Sequence, residues 1–222
     1  MSAIRPTTLR VQKEQFDPAL LVGELRAFLE QLGTPETLNC MSASASSLLR
    51  KSPSVPALKR FLQTYKTQVL FPHEWPAIFR AYYHVRHNQT RELLELDREL
   101  AGIPALEKLR TASRRIGQWQ LNQLGPLRGE PVIKKYRAAV EEGRADAWHT
   151  TIYGLTLAVY SFPLRQGLLN YAMQLLAVYA RSAAQGLAIG DEEQQQILDE
   201  ALSELPAKLE QLLAGLPANR IE

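Results

Sequence analysis

Apolar residues recur every three or four positions through most of the chain, which is the spacing of one face of an α-helix. Residues 17–33 show this pattern with a stripe formed by Leu21, Leu25, Phe28 and Leu32. Asp17 and Gly33 suit the two ends of such a helix. Similar start and stop signals follow along the sequence, and period-two strand patterns bounded by turns are absent from it. The pattern predicts an all-α fold, a bundle of about ten helices.

Residues 147–162, AWHTTIYGLTLAVYSF, form a predicted helix that is apolar on every face, with His149 as its only strongly polar side chain. Such a helix either spans a membrane or lies at the centre of a large bundle. A membrane span needs about 20 apolar residues, and Pro163 and Arg165 end this run too early. We therefore expect no membrane span, and a central apolar hairpin over residues 147–187 with the other helices around it.

Proline, glycine and acidic positions refine this expectation. Pro72 and Pro76 fit only near the start of a helix, because proline lacks the N–H that a helix interior requires. Asp146 can cap the apolar helix that follows it. Gly154 and Gly167 predict close contact with neighbouring helices, since a missing side chain leaves room for one.

Length and composition favour one domain. The 222 residues are 45% hydrophobic, and helical periodicity continues without a low-complexity linker, so one large core is expected. We predict a single domain over residues 1–222, with flexible ends at 1–15 and 215–222. Cys40 is the only cysteine, which excludes an internal disulfide and a zinc site built from cysteines. Since the first residues lack the apolar segment of a signal peptide, we expect a cytoplasmic protein.

The charge pattern changes this picture little. Lysine and arginine number 26 against 23 acidic residues, a net charge of +3. Basic residues cluster at 108–115 and acidic ones at 191–204, whereas nucleic-acid binding requires a denser basic stripe. We therefore predict no nucleic-acid partner and interpret most charges as solvated helix faces.

Sequence signatures of enzymes are missing. The sequence contains no glycine-rich phosphate loop, no nucleophile elbow and no HExxH helix, so we predict that the protein is not an enzyme and needs no cofactor. His84 and His87 are the one weak candidate for a metal site, because residues three apart share a helix face. A polar helix end beside Asn88 explains the same pair, and we prefer it because two imidazoles alone form an incomplete site.

His149 has two possible roles. A neutral histidine at the start of an apolar helix can join a buried hydrogen-bond network with Tyr153 or Tyr136, or it can act as a donor at an interface. We prefer the buried network, since buried polar groups nearly always find partners.

The segment LRTASRRIGQW presents a different surface. Arg110 and Arg114 share one face of a helix, and Gly117 leaves a small notch on the next turn, near Ser113. No acidic residue follows either arginine at the fourth position, so we expect both to be unpaired. They either bind an acidic protein partner or form a solvated face.

The order of these segments resembles the urease accessory proteins of the UreF type over about residues 60–200. The family has a leucine-rich LLELD helix, here residues 93–97, before an R-x-x-S-x-x-x-G helix, here Arg110, Ser113 and Gly117. A histidine-led apolar helix follows, with His149, Tyr153 and Gly154 in the matching positions, and the next helix carries Leu169 and Tyr171.

The sequence also departs from that family. The closest match to the N-terminal D-x-A-L-P-x-G-G-F-x-H-S element begins at Asp17, and Leu21, Glu24 and Ala27 replace its proline, second glycine and histidine. The segment MSASASSLL, residues 41–49, is a competing placement and also lacks the histidine. Gln185 replaces an arginine near the end, and the C-terminal Arg-Leu-Phe-Arg-Ser-like tail has no counterpart.

The resemblance implies a non-enzymatic all-α scaffold, usually a homodimer, that binds UreD (also called UreH). With UreD it recruits the GTPase UreG to apo-urease for nickel insertion. Candidate partner-binding residues are Arg110, Ser113, Arg114, Gly117, His149 and Tyr153. The alternative is an all-α enzyme or ligand-binding bundle with a histidine-lined pocket. A helical transcription regulator fits least, because residues 1–60 show no basic recognition helix.

Overall fold

The computed structural model describes residues 54–125, 129–187 and 189–215, and every regular element within these ranges is helical. Several predictions fall outside the described residues: the helix at 17–33, Cys40, the N-terminal element at Asp17, the side chain of Gln185, and the tail after residue 215. The single domain over 1–222 stays a prediction for the same reason.

The all-α class is confirmed. The α-helices are α1 (Val55–Tyr65), α2 (Trp75–Arg86), α3 (Thr90–Ala101), α4 (Arg110–Gln123), α5 (Pro131–Glu141), α6 (His149–Val159), α7 (Leu164–Leu187), α8 (Asp191–Leu202) and α9 (Leu205–Ala214). A π-helical segment (Lys66–Glu74) joins α1 to α2, and a 3-10 segment (Pro104–Leu109) leads into α4. When continuous segments are joined, the described residues contain seven helices rather than about ten.

Part of this difference comes from Pro72. The sequence places it near a helix start, but it lies inside the π-helical segment, and helical structure continues without a break from α1 to α2. The wider π turn, in which the Trp75 N–H bonds to the Leu70 carbonyl, relieves the clash of a proline ring with the carbonyl four residues earlier. Pro76 lies in the first turn of α2, as its sequence predicts.

Helix α6 lies at the centre of the described core. Every residue from His149 to Ala158 is buried, as its apolar sequence predicts. The end of the predicted run differs, because α6 ends at Val159 and Tyr160 is exposed in the turn that follows. One side of α6 contributes Tyr153 and Leu157 to one hydrophobic cluster, and the other contributes Ile152 and Leu155 to a second. None of the described helices is long and apolar enough to cross a membrane.

The neighbours of α6 are not simply those next to it in sequence. A short turn connects α6 to α7, yet α6 packs most extensively against α2 and next against α4. Gly154 explains the approach of α2, because a Cβ there would lie 2.4 Å from the Ile78 carbonyl oxygen and 2.8 Å from the Ala81 Cβ. At Gly167 a Cβ would lie 2.3 Å from a methyl group of Leu157. The close packing predicted at both glycines is confirmed.

We predict that Gly154→Ala lowers the free energy of unfolding by about 2 kcal/mol or more, since the added methyl group has no space. Gly102→Ala is the control, because its Cβ would meet only the Glu99 carbonyl oxygen at an ordinary 3.5 Å. Urea denaturation of both variants measures the difference. Equal stability of the two would show that α2 and α6 are not in close contact at Gly154.

Candidate functional site

The site is built around the connection between α5 and α6, residues 142–148. This segment leaves α5 through Gly143, whose φ of 71° is in the left-handed region, and Ala147 adopts a φ of 58°. Ala147 and Trp148 are buried, so their backbone N–H groups need partners inside the protein. Helices α3 and α4 supply the side chains that hold the segment in place.

Asp97 on α3 is the main partner of this backbone. Its carboxylate accepts hydrogen bonds from the backbone N–H groups of Asp146, Ala147 at 3.2 Å and Trp148 at 3.1 Å. It also accepts one from the Tyr136 hydroxyl at 2.8 Å, and its residue has no exposed surface. Burial raises the pKa of Asp97, and the hydrogen bonds from Tyr136 and the backbone act in the opposite direction.

Sequence reasoning missed Asp97, although a signal was present. In the LLELD segment Asp97 lies four residues after Leu93 and three before Leu100, on the same face of α3. Both leucines are fully or almost fully buried. An acid within an apolar stripe indicates a buried carboxylate with a specific partner.

Helix α4 holds the same segment from the other side. The Ser113 hydroxyl accepts a hydrogen bond from the His149 N–H at 3.0 Å. A Cβ at Gly117 would lie 1.9 Å from the Ala147 carbonyl oxygen, so the connection lies directly on this glycine. The expected notch at Gly117 is therefore not open to a partner, because the chain itself fills it.

Arg110 and Arg114 are not unpaired, contrary to the prediction. The Arg110 Nη2 lies 3.2 Å from Asp146 Oδ2, and the Arg114 Nη2 lies 3.1 Å from Asp146 Oδ1. No acid lies four residues after either arginine, whereas folding brings Asp146 from 36 and 32 positions along the chain. Asp146 also does not cap α6, whose N-cap position is Trp148 with no side-chain cap.

An open cleft of about 400 Å³ lies over this connection. It is lined by Asp97, Arg98, Ala101, Arg110, Gly143, Arg144, Ala145 and Asp146. Arg144 pairs with Glu142 at 2.5 Å, and Arg98 is exposed and has no ion pair within the described part of the chain. The cleft therefore presents guanidinium groups above a buried acidic floor.

His149 and Tyr153 lie behind the site in the core. The His149 ring centroid is 5.1 Å from that of Tyr171 and 6.0 Å from that of Tyr153. Within the described ranges neither ring nitrogen has a hydrogen-bond partner, and burial lowers the pKa of His149 to about 3. Histidine 149 is therefore neutral and packs as an aromatic ring.

The predicted hydrogen-bond network of His149 is wrong for the described residues, because both tyrosines have other partners. The Tyr153 hydroxyl donates to the Gly167 carbonyl at 3.1 Å and accepts from the Asn170 amide at 3.0 Å. Tyr136 bonds to Asp97.

His84 and His87 each have a local partner. The His84 Nδ1 lies 2.9 Å from the Gln89 Oε1. The His87 Nδ1 lies 2.8 Å from the Tyr83 carbonyl oxygen, and its ring stacks on Tyr83 with centroids 4.0 Å apart. Among residues 54–125, 129–187 and 189–215, no group of three or more histidine, cysteine or acidic side chains is placed to hold a metal ion. Weak metal binding by this pair stays a prediction.

A second buried acid, Glu74, was also missed. Glu74 ends the π-helical segment, is 3% exposed and accepts a hydrogen bond from the Tyr65 hydroxyl. The Tyr65 ring packs edge-on against Tyr179, with centroids 4.9 Å apart, and Tyr171 is close enough to influence the same carboxyl. Burial raises the pKa of Glu74 to about 7, although the tyrosines oppose the shift.

We predict that Asp97→Asn lowers the free energy of unfolding by about 3 kcal/mol, because asparagine has one acceptor oxygen where four donors converge. Glu95→Gln on the same helix is the control. Within the described part of the chain its carboxylate forms an exposed pair with Arg91 and no other ion pair, so a change below about 0.5 kcal/mol is expected. Urea unfolding followed by tryptophan fluorescence tests both, and equal effects would contradict the role of Asp97.

We predict that Glu74→Gln stabilises the protein at high pH and much less at low pH. The pKa of Glu74 is 4.5 ordinarily and about 7 in the fold, so between these values the folded state retains a proton that the unfolded state releases. The wild type therefore loses stability as the pH rises through this window, by up to about 3 kcal/mol. Glutamine keeps the hydrogen bond without the charge.

Unfolding free energies of wild type and Glu74→Gln near pH 4 and pH 8 measure this effect. The depressed pKa of His149 affects both proteins equally and cancels in the difference. A stability difference that does not change with pH would show that Glu74 titrates normally.

The UreF family model matches residues 54–202, which include Asp97, the α4 residues, the α5–α6 connection and the central helix. No curated protein matches the chain. Because the family match covers well over half of the sequence, the chain belongs to the UreF family of urease accessory proteins.

Proposed function

We propose that the protein is a non-enzymatic scaffold in urease maturation. It binds UreD/UreH and recruits the GTPase UreG, so that nickel is delivered to apo-urease as cargo. The family match over residues 54–202 is the observation that carries this proposal. The assignments to UreD/UreH, UreG, a homodimer and the cytoplasm come from the resemblance of the motif series to this family.

The geometry of the site supports an adaptor. Ser113, Gly117 and Asp97 bond to or pack against the chain's own backbone, so these three residues hold the surface in place from within. The exposed groups are arginines, with 43% of the Arg110 and 41% of the Arg114 side chain accessible. Half-exposed arginines on a rigid support suit protein recognition, since the guanidinium fork binds carboxylates bidentately.

The proposal changes the roles of the candidate partner-binding residues. Arg110 and Arg114 remain at the surface, where Arg110 belongs to the proposed contact and Arg114 shares the Asp146 carboxylate with it. Ser113, Gly117, His149 and Tyr153 are buried, and they support the surface from below. The alternative histidine-lined pocket has less support, because the eight residues that line the described cleft include no histidine.

We predict that the tagged protein, co-expressed with UreD/UreH and UreG, co-purifies with both. We also predict that it restores nickel-dependent urease activity in cells that lack their own UreF. The tag alone is the control for capture, and nickel content of the purified urease is the second readout. A folded protein that captures neither accessory protein and leaves urease without nickel would refute the proposal.

A further inference from the structure

We infer that the cleft over the α5–α6 connection binds an acidic segment of a partner protein. Arg98 and Arg110 make the direct contacts, and Asp146 with Arg114 positions Arg110. This inference rests on the proposed function, since it specifies the chemistry by which the scaffold would hold one of its partners.

The charges at the cleft leave a cationic surface. The Asp97 carboxylate accepts hydrogen bonds from the backbone and from Tyr136, so its acceptor oxygens are already used within the fold. Arg144 is paired with Glu142, so its charge is offset within the fold. Arg98 remains exposed without an ion pair in the described ranges, so its charge is available to an incoming anion.

Asp146 shows which anion this arrangement fits. Its two carboxylate oxygens are divided between the two arginines, one on the Nη2 of Arg110 and one on the Nη2 of Arg114. The second terminal nitrogen of Arg110 has no partner within the described residues. Held through Nη2 alone, the Arg110 guanidinium retains the N–H donors of Nη1 for a second carboxylate, and a charge-assisted hydrogen bond of this kind favours an anionic partner.

The support beneath these arginines is rigid. The connection is fixed by Asp97, by the Ser113 hydroxyl and by the close approach at Gly117. A preorganised surface loses little conformational freedom on binding, which favours a partner contact at this position.

The cleft is also compact, with a volume of about 400 Å³, which is room for a few side chains. An extended nucleic acid backbone needs a longer basic stripe.

The first test uses the purified protein and a fluorescein-labelled hexaglutamate peptide in fluorescence anisotropy. Arg98→Ala should weaken binding about tenfold, and Arg98→Ala/Arg110→Ala should weaken it further. Arg165→Ala is the control, because it removes another exposed arginine that pairs with Glu210 and does not line the cleft, and it should change binding less than about twofold. The Arg98 variant breaks no ion pair of the described structure, so its melting temperature should equal that of wild type.

The second test uses the assembled complex. A photoreactive benzoylphenylalanine at position 98 should cross-link to a segment of UreD/UreH or UreG that is rich in aspartate and glutamate, and Arg98→Ala should weaken capture of that protein. A cross-link to a non-acidic segment would overturn the inference. So would binding of inorganic phosphate or RNA, but not hexaglutamate, at the cleft.

The two proposals fail in distinguishable ways. If the wild type captures its partners and Arg98→Ala captures them equally well, only the cleft inference is wrong. If the wild type captures neither accessory protein, the proposed function is wrong and the inference falls with it.

Discussion

The buried carboxylate of Asp97 is the interaction on which the rest of the site depends. Helix α6 is the centre of the described core, and the segment that enters it carries backbone N–H groups at residues 146–148 that no helix turn can satisfy. Leaving one such buried group without a partner costs about 1–3 kcal/mol. Asp97 bonds to three of them and to the Tyr136 hydroxyl, and so fixes where the central helix begins.

The surface of the site follows from the same constraint. Because Asp97, Ser113 and Gly117 fix the connection in one conformation, Asp146 is held beside α4 and orients Arg110 and Arg114. Helix α4 therefore has an inner face, where Ser113 and Gly117 contact the backbone of the connection, and an outer face, where Arg110 and Arg114 carry charge. A surface that keeps its shape loses less entropy when a partner binds, which is consistent with the proposed scaffold role.

The two buried acids differ in how the protein compensates them. Four hydrogen-bond donors surround Asp97 and oppose the effect of burial on its pKa. At Glu74 only the hydrogen bonds from Tyr65 and Tyr171 oppose burial, and its pKa is still raised to about 7. Glu74 also ends the π-helical segment that accommodates Pro72, a type of turn that recurs at functional positions in proteins. Asp97 thus serves as a structural anchor, whereas the charge of Glu74 costs stability at neutral pH.

The sequence by itself determined the all-α class, the burial of residues 149–158, the close packing at Gly154 and Gly167, and the family. These features follow from periodicity, side-chain size and motif order, which are local properties of the chain. Tertiary structure alone decided that Asp146 pairs with Arg110 and Arg114, that the chain itself fills the space at Gly117, and that Asp97 anchors α6. These contacts join residues 30 or more positions apart. Local spacing cannot predict them, because the partner of a polar group is set by how helices pack and not by its neighbours in sequence.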